Sequence, residues 1–315
     1  MSVFVIDPGA FTTVQDEGRW GYQAAGMPVA GAMDRYAHAV ANLLCGNPRG
    51  LAVLEMTLKG GTFRFTEDRH SAIAGADMGA SLDGEPIPNW SCFRARAGSI
   101  VHFDFAREGC RAYLAIEGGF DLPIVLGSRS THTRSRLGGL EGRALRSGDR
   151  IEWGAAQGPA TPRRLFAQFA PRHGDELVVR VLPGPQDDLF VDEAIALFFS
   201  AIYEVTNEAD RMGYRLEGPA LAHRGRADIV SDAIAPGSIQ VPAHGRPIVM
   251  LSDRQTTGGY AKIGTVIGPD LRLFAQAKAK DRIRFARVGD EEAVAVLRDE
   301  RARLDLVEAI LREES

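Results

Sequence analysis

The chain has 315 residues, 45% hydrophobic and 25% charged, enough apolar material for a sizeable core in one large domain or two ordinary ones, which excludes a disordered or fibrous protein. With 37 basic against 41 acidic side chains the net charge is −4, so no overall basic footprint for nucleic acid exists. No apolar run approaches the ~18 residues of a membrane span, residues 1–10 carry no signal-peptide pattern, and Cys45, Cys92 and Cys110 lack metal-ligand spacing; a cytoplasmic protein with reduced thiols, no membrane association and no metal is expected.

In chain order, residues 3–6 read as a first strand. Asp34 then caps a helix carrying Ala37, Val40, Ala41 and Leu44 on one face, stopped by Gly46-Asn47-Pro48. Strands follow at 62–65, 99–105 and 112–116. Phe63 and Phe65 alternate with polar neighbours, as do Phe103 and Phe105, which argues half-buried strands of an antiparallel sheet or barrel. Residues 154–175 read as a link, 177–182 as a strand, 187–200 as a helix with Val191, Ile195 and Phe198 inward, and 247–251 as a strand. A last helix, 291–313, places Val294, Leu297, Leu304, Val307 and Leu311 at helical spacing, with a mixed-sign polar face that fits the surface of the protein rather than a membrane.

The two halves echo each other. Val5-Ile6-Asp7-Pro8-Gly9 with Gln15-Asp16 matches Val181-Leu182-Pro183-Gly184 with Gln186-Asp187; Leu58-Lys59-Gly60 matches Leu216-Glu217-Gly218; Gly98-Ser99-Ile100 matches Gly237-Ser238-Ile239. Last, the Gly118-Gly119-Phe120 turn matches Gly258-Gly259-Tyr260. The order is kept four times, too long a period for a solenoid, so two β-rich lobes related by internal duplication are expected. Their limits are 1–155 and 176–290, with a linker at 156–175 and a C-terminal helix at 291–315.

Walker loops, Gly-x-Gly-x-x-Gly, the Gly-x-Ser-x-Gly elbow, zinc-type histidine pairs and a biotinylation site of Met-Lys-Met type are all missing. Four glycine-framed polar segments remain. In residues 12–22, Gln15, Asp16 and Arg19 belong either to a rigid loop that satisfies its own backbone or to a binding loop. Ser128, Arg129 and Ser130, followed by several arginines, are either a solvated face or a bidentate anion site. Arg211 and Arg215 with Tyr214 offer structural ion pairing or a second polar site. The segment 252–262 is the most suggestive: turn formation does not demand Gln255, Thr256, Thr257 and Tyr260 around Gly258-Gly259, whose lack of side chains lets a ligand approach the backbone. Arg254 or Lys262 could neutralise developing negative charge there.

Thr13-Val14-Gln15-Asp16 with Gly18-Arg19, Gly31-Ala32-Met33-Asp34, Gly127-Ser128-Arg129-Ser130-Thr131, Leu182-Pro183-Gly184-Pro185-Gln186, Asp210-Arg211-Met212-Gly213-Tyr214-Arg215-Leu216 and Asp253-Arg254-Gln255-Thr256-Thr257-Gly258-Gly259-Tyr260 together resemble one family. It contains the C subunit of 5-oxoprolinase, allophanate hydrolase subunit 2-like proteins, the anti-inhibitor of a sporulation kinase, and the second half of the carboxyltransferase domain of urea carboxylase. The resemblance implies two cyclophilin-like β-barrel lobes and a B-like partner protein. It implies, first, a component of a heteromeric, ATP-dependent 5-oxoprolinase that also recruits an A-like protein and opens the lactam of 5-oxoproline to L-glutamate. The alternatives are a carboxyltransferase component that moves a carboxyl group to urea or another small amide from biotin on a separate carrier, and a regulatory partner of a kinase inhibitor. On this reading Lys262 and Arg254 are catalytic, and Gln255, Thr256, Thr257, Tyr260, Gln15, Arg211, Tyr214, Ser128 and Arg129 bind substrate. Ala261 stands where relatives often carry Pro before the Lys, so the loop geometry is expected to differ there.

Overall fold

The computed structural model describes residues 1–156, 160–174 and 176–313. Of the expected linker, residues 157–159 and 175 therefore lie outside the described residues. The chain divides into two compact units, one of Met1–Arg19, Ala30–His173 and Ala302–Ser315, the other of Trp20–Val29 and Gly174–Arg301. Each unit thus draws on separate stretches of sequence, which a simple N-to-C partition does not anticipate.

The first unit contains β1 (Ser2–Asp7), β2 (Phe11–Gln15), α1 (Arg35–Leu44), β3 (Val53–Thr57), β4 (Thr62–Phe65), β5 (Arg69–Asp77), β6 (Ser81–Leu82) and β7 (Glu85–Pro86). It continues with β8 (Ser91–Ala95), β9 (Ile100–His102), β10 (Glu108–Ile116), β11 (Arg150–Glu152) and β12 (Arg163–Arg164). These strands form two six-stranded sheets, ordered β11-β1-β4-β9-β6-β7 and β12-β8-β5-β10-β3-β2. One core joins them: Val3, Val5, Phe63, Phe65 and Val101 from the first sheet meet Val14, Leu54, Met56, Ile73, Leu114 and Ile116 from the second. The opposite face of the second sheet, with Val53, Ala72, Ala74, Tyr113 and Ala115, packs on Tyr36, Ala37, Val40, Ala41 and Leu44 of α1. A sheet covered on both faces explains why 112–116 reads as a continuous apolar run.

Asp34 does cap α1, accepting from the Ala37 amide at 3.0 Å. The helix is not one-faced, however; every residue from Tyr36 to Leu44 is buried. Its polar members survive burial because carbonyls meet them: His38 Nε2 lies 2.9 Å from the Leu51 carbonyl, and Asn42 Nδ2 donates to the same oxygen at 2.9 Å. The expected strand over 99–105 also contracts to Ile100–His102. Phe103 is buried while Phe105 is 64% exposed; the regular ladder ends at His102, and beyond it Phe105 is held by an isolated bridge to Lys59.

The second unit contains β13 (Glu176–Pro183), α2 (Asp192–Ser200), β14 (Ile202–Val205), β15 (Gly213–Glu217), β16 (Asp228–Ala233), β17 (Ser238–Gln240) and β18 (Ile248–Met250). After these come β19 (Thr257–Tyr260), β20 (Lys262–Val266), α3 (Leu271–Gln276) and β21 (Arg282–Arg287). Finally α4 (Asp290–Glu313) begins in this unit and ends in the first. Seven strands close a barrel in the order β13-β20-β17-β18-β15-β14-β21. An odd ring cannot alternate direction throughout, and the parallel pair β13–β21 is where it closes. Val179, Val181, Tyr203, Val205, Leu216, Ile239, Val249, Ile263, Ile283 and Phe285 are buried, and Phe285 stacks on Phe198 of α2 at 4.5 Å. The mainly β architecture with a barrel is as the sequence predicts; the first unit reaches it with two sheets.

Outside the barrel, β16 and β19 form a two-stranded ribbon. Gly258-Gly259 thus lies in a strand rather than in a turn like Gly118-Gly119, whose φ angles of 86° and 69° are left-handed. No described helix is long and apolar enough to cross a membrane.

Candidate functional site

Asp16 organises the polar segments of the first unit. Its carboxylate accepts from Ser128 Oγ at 2.6 Å, Ser130 Oγ at 2.5 Å, the Arg129 amide at 2.6 Å and the Gly18 amide at 2.9 Å. Burial pushes its pKa up, but these four donors outweigh burial and hold it below the usual carboxylate value. The hydroxyl–arginine loop is an anion site whose anion is supplied by the chain itself. Arg129 spends its guanidinium on the Leu122 carbonyl at 2.8 Å and Asp121 at 3.0 Å. Gln15 is fully buried, and its Nε2 donates to Thr13 Oγ1 at 2.9 Å and the Thr131 carbonyl at 3.1 Å. Its Oε1 is buried with no acceptor role filled.

In the second unit three of the expected site residues are built into the scaffold. Arg211 grips Asp253 through two bonds of 3.0 and 2.9 Å, both side chains being buried. Tyr214 donates to the Ala277 carbonyl at 3.1 Å and packs edge-on against Phe274. Arg254 donates to the Ile234 and Leu251 carbonyls, each at 3.0 Å, which ties the loop after β18 to the end of the ribbon.

Lys262 differs from these. Its side chain is 3% exposed, yet it carries an ammonium. Nζ donates to Asp232 Oδ2 at 2.8 Å and to the Ala233 carbonyl at 3.3 Å, leaving one of its three N–H donors beyond these two bonds. Asp232 is half exposed, and the hydrogen bond from Lys262, with the Ala233 amide and the Lys262 charge, lowers its pKa. Gln186 joins both partners: its Oε1 accepts from the Lys262 amide at 3.3 Å and its Nε2 reaches Asp232 at 3.4 Å.

Strand register builds this cluster. Gln240 of β17 is the Cα partner of Lys262 in β20, so their side chains share a face, and Asp232 of β16 is paired with Gly258 of β19. Gln240 is 2% exposed and its Nε2 is buried without a partner. A Cβ on Gly258 would lie 2.5 Å from that nitrogen. Gln255 is half-buried, with an unpaired buried Oε1, and Thr256 accepts at its carbonyl from the Ile234 amide at 3.0 Å. Thr257 and Tyr260 are exposed on the ribbon.

Lys262 thus contacts Asp232, Ala233 and Gln186 and is register-paired with Gln240, while Thr256 and Thr257 lie opposite Ile234 and Ala233 and Tyr260 is paired with Asp228. Gln186, Asp232 and Gln240 are three residues not singled out as site residues from the sequence. Gln186 lies within the Leu182–Gln186 motif; for Asp232 and Gln240 only strand register reveals the connection. The arrangement can present a buried positive charge and unpaired amide groups to a polar ligand. No group of three or more His, Cys, Asp or Glu placed to hold a metal occurs among the described residues.

A family described as carboxyltransferase domain, subdomain A and B, matches residues 25–287. The chain is similar to the C subunit of 5-oxoprolinase from Escherichia coli (strain K12), at 36% identity with 94% of each chain covered. It is similar to the C subunit of 5-oxoprolinase from Haemophilus influenzae, at 34% identity with 99% of each covered. Among solved structures, urea amidolyase of K. lactis superposes with a TM-score of 0.92 at 29% identity, covering 97% of this chain but 20% of that much longer one.

Proposed function

This chain belongs to the carboxyltransferase-domain family, subdomains A and B, and from that premise we propose that it is one component of a heteromeric, ATP-dependent 5-oxoprolinase that opens the lactam of 5-oxoproline to L-glutamate. The observation that carries the reading is sequence similarity: the chain is 36% and 34% identical to two proteins named as the C subunit of 5-oxoprolinase, against 32% to the urea amidolyase of Lachancea kluyveri. A name that designates one subunit implies an assembly, and the partners in this reading are B-like and A-like proteins in the cytoplasm.

Lactam opening adds water across a C–N bond and places negative charge on the former carbonyl oxygen. Lys262 supplies a buried cation for that oxygen, where low polarity strengthens the interaction. In this reading Gln255, Thr256, Thr257 and Tyr260 bind the substrate. Two arginines of the first unit are already committed: Arg129 is spent on Asp121 and Leu122, and Arg143 is held by Asp149 at 2.7 and 2.9 Å. In this reading ATP acts through the assembled complex.

A second reading, transfer of a carboxyl group from biotin on another chain to a small amide, is favoured by the superposition on urea amidolyase and uses the same cation. Copurification with the partner proteins, followed by assays of 5-oxoproline-dependent ATP hydrolysis and of amide carboxylation, separates the two. In the active complex Lys262→Met keeps the side-chain bulk and removes the charge; turnover is expected to fall roughly 10²–10³-fold. Wild-type turnover by a normally melting variant would remove Lys262 from the chemistry.

A further inference from the structure

We infer that Gln240 is a substrate-binding residue of the Lys262 site, and that the group it reads is the carbonyl oxygen of an amide, either a lactam or a ureido group. The inference deepens the function proposed above and rests on its placement of the site. Gln240 is 2% exposed, and its Nε2 donor is buried with no acceptor. Buried amide donors are as a rule paired, so an orphan beside a buried lysine marks a place where an acceptor is expected from outside the chain. Register sets Gln240 beside Lys262, whose Nζ has bonds to Asp232 and Ala233 and a third N–H to give. Paired positions on one face place the two donor-bearing side chains next to each other, a set from which one oxygen can accept twice.

Gly258 supports this assignment. It does not have the left-handed φ that would demand glycine, yet a Cβ there would sit 2.5 Å from Gln240 Nε2 and 2.6 Å from Ile234 Cδ1. The missing side chain lets the ribbon backbone pack directly against the Gln240 amide. On the loop leading into Gly258, Gln255 offers a buried, unpaired Oε1. A donor at Gln240 and an acceptor at Gln255 complement the C=O and N–H of an amide, which a simple carboxylate cannot match.

The test uses the complex with its partner proteins. Saturation-transfer NMR with 2-pyrrolidone, 5-oxoproline and urea reads binding, thermal melting reads stability, and KM is measured for any probe that turns over. Gln240→Leu is expected to weaken amide binding at least about tenfold while melting at or above the wild-type temperature, because it removes an unpaired polar group. Gln240→Met serves if the branched side chain does not fit. A variant that binds these amides like wild type, or a wild-type complex that binds none of them, overturns the inference. Binding that is lost in the variant, in a complex without 5-oxoproline-dependent ATP hydrolysis, upholds Gln240 and overturns the proposed lactamase reaction.

Discussion

Asp16 shows how a carboxylate stays ionised under burial: four donors, two of them serine hydroxyls, replace its water. Its folded pKa is lowered, so the stability it contributes is present above the unfolded value of about 3.9 and is lost as pH falls through the folded pKa. Asp16→Asn is expected to lower stability by about 2 kcal/mol at neutral pH and to flatten the decline below pH ~4, since hydrogen bonds to charged groups are the strong ones. Melting temperature against pH for the two proteins checks both. Tyr203 is the opposite case. It is fully buried, its hydroxyl has no partner, and burial pushes its pKa up. Tyr203→Phe is expected to leave stability unchanged or raise it by up to ~1 kcal/mol, measured by urea unfolding. A clear loss would mean that the hydroxyl is paired in solution.

Between elements, two glycines report how closely strands approach the Lys262 site. A Cβ on Gly184 would overlap the Lys262 carbonyl oxygen and lie 2.8 Å from the Gly264 amide nitrogen, so backbone blocks it on both counts. A Cβ on Gly258 meets only the ends of the Gln240 and Ile234 side chains, which can turn aside. Gly184→Ala should therefore cost ~3 kcal/mol and Gly258→Ala nearer ~1 kcal/mol, although the second displaces the Gln240 amide. Denaturant melts of the two variants should rank them in that order, and equal costs would contradict the packing described. α3 was invisible to periodicity, because the six residues Leu271–Gln276 are too few for a repeat to show.

At the scale of the whole protein, we expect the chain alone to turn over 5-oxoproline negligibly and to become active on addition of a B-like partner protein. The site offers a cation and amides but no recognisable nucleophile–base pair. Full turnover by the purified chain would refute this, and the assay is ATP hydrolysis with each component omitted in turn.

Local sequence was enough for what local forces decide. The alternation around Phe63 announced a strand, Asp34 a helix start, and the spacing from Val294 to Leu311 a long helix, because each signal is complete within a few turns of chain. The motifs from Gln15 to Tyr260 likewise carried the family. Which polar residues are scaffold and which are free to act was a tertiary decision. Arg211, Arg254 and Tyr214 look like site residues in one dimension; in three they are consumed by Asp253, by carbonyls and by the core. Gly258-Gly259 reads as a turn until β16 pairs with it, and Gln240 has no local mark at all. Its position beside Lys262 exists only once β17 and β20 align, because hydrogen-bonded register, not distance along the chain, sets which side chains share a site.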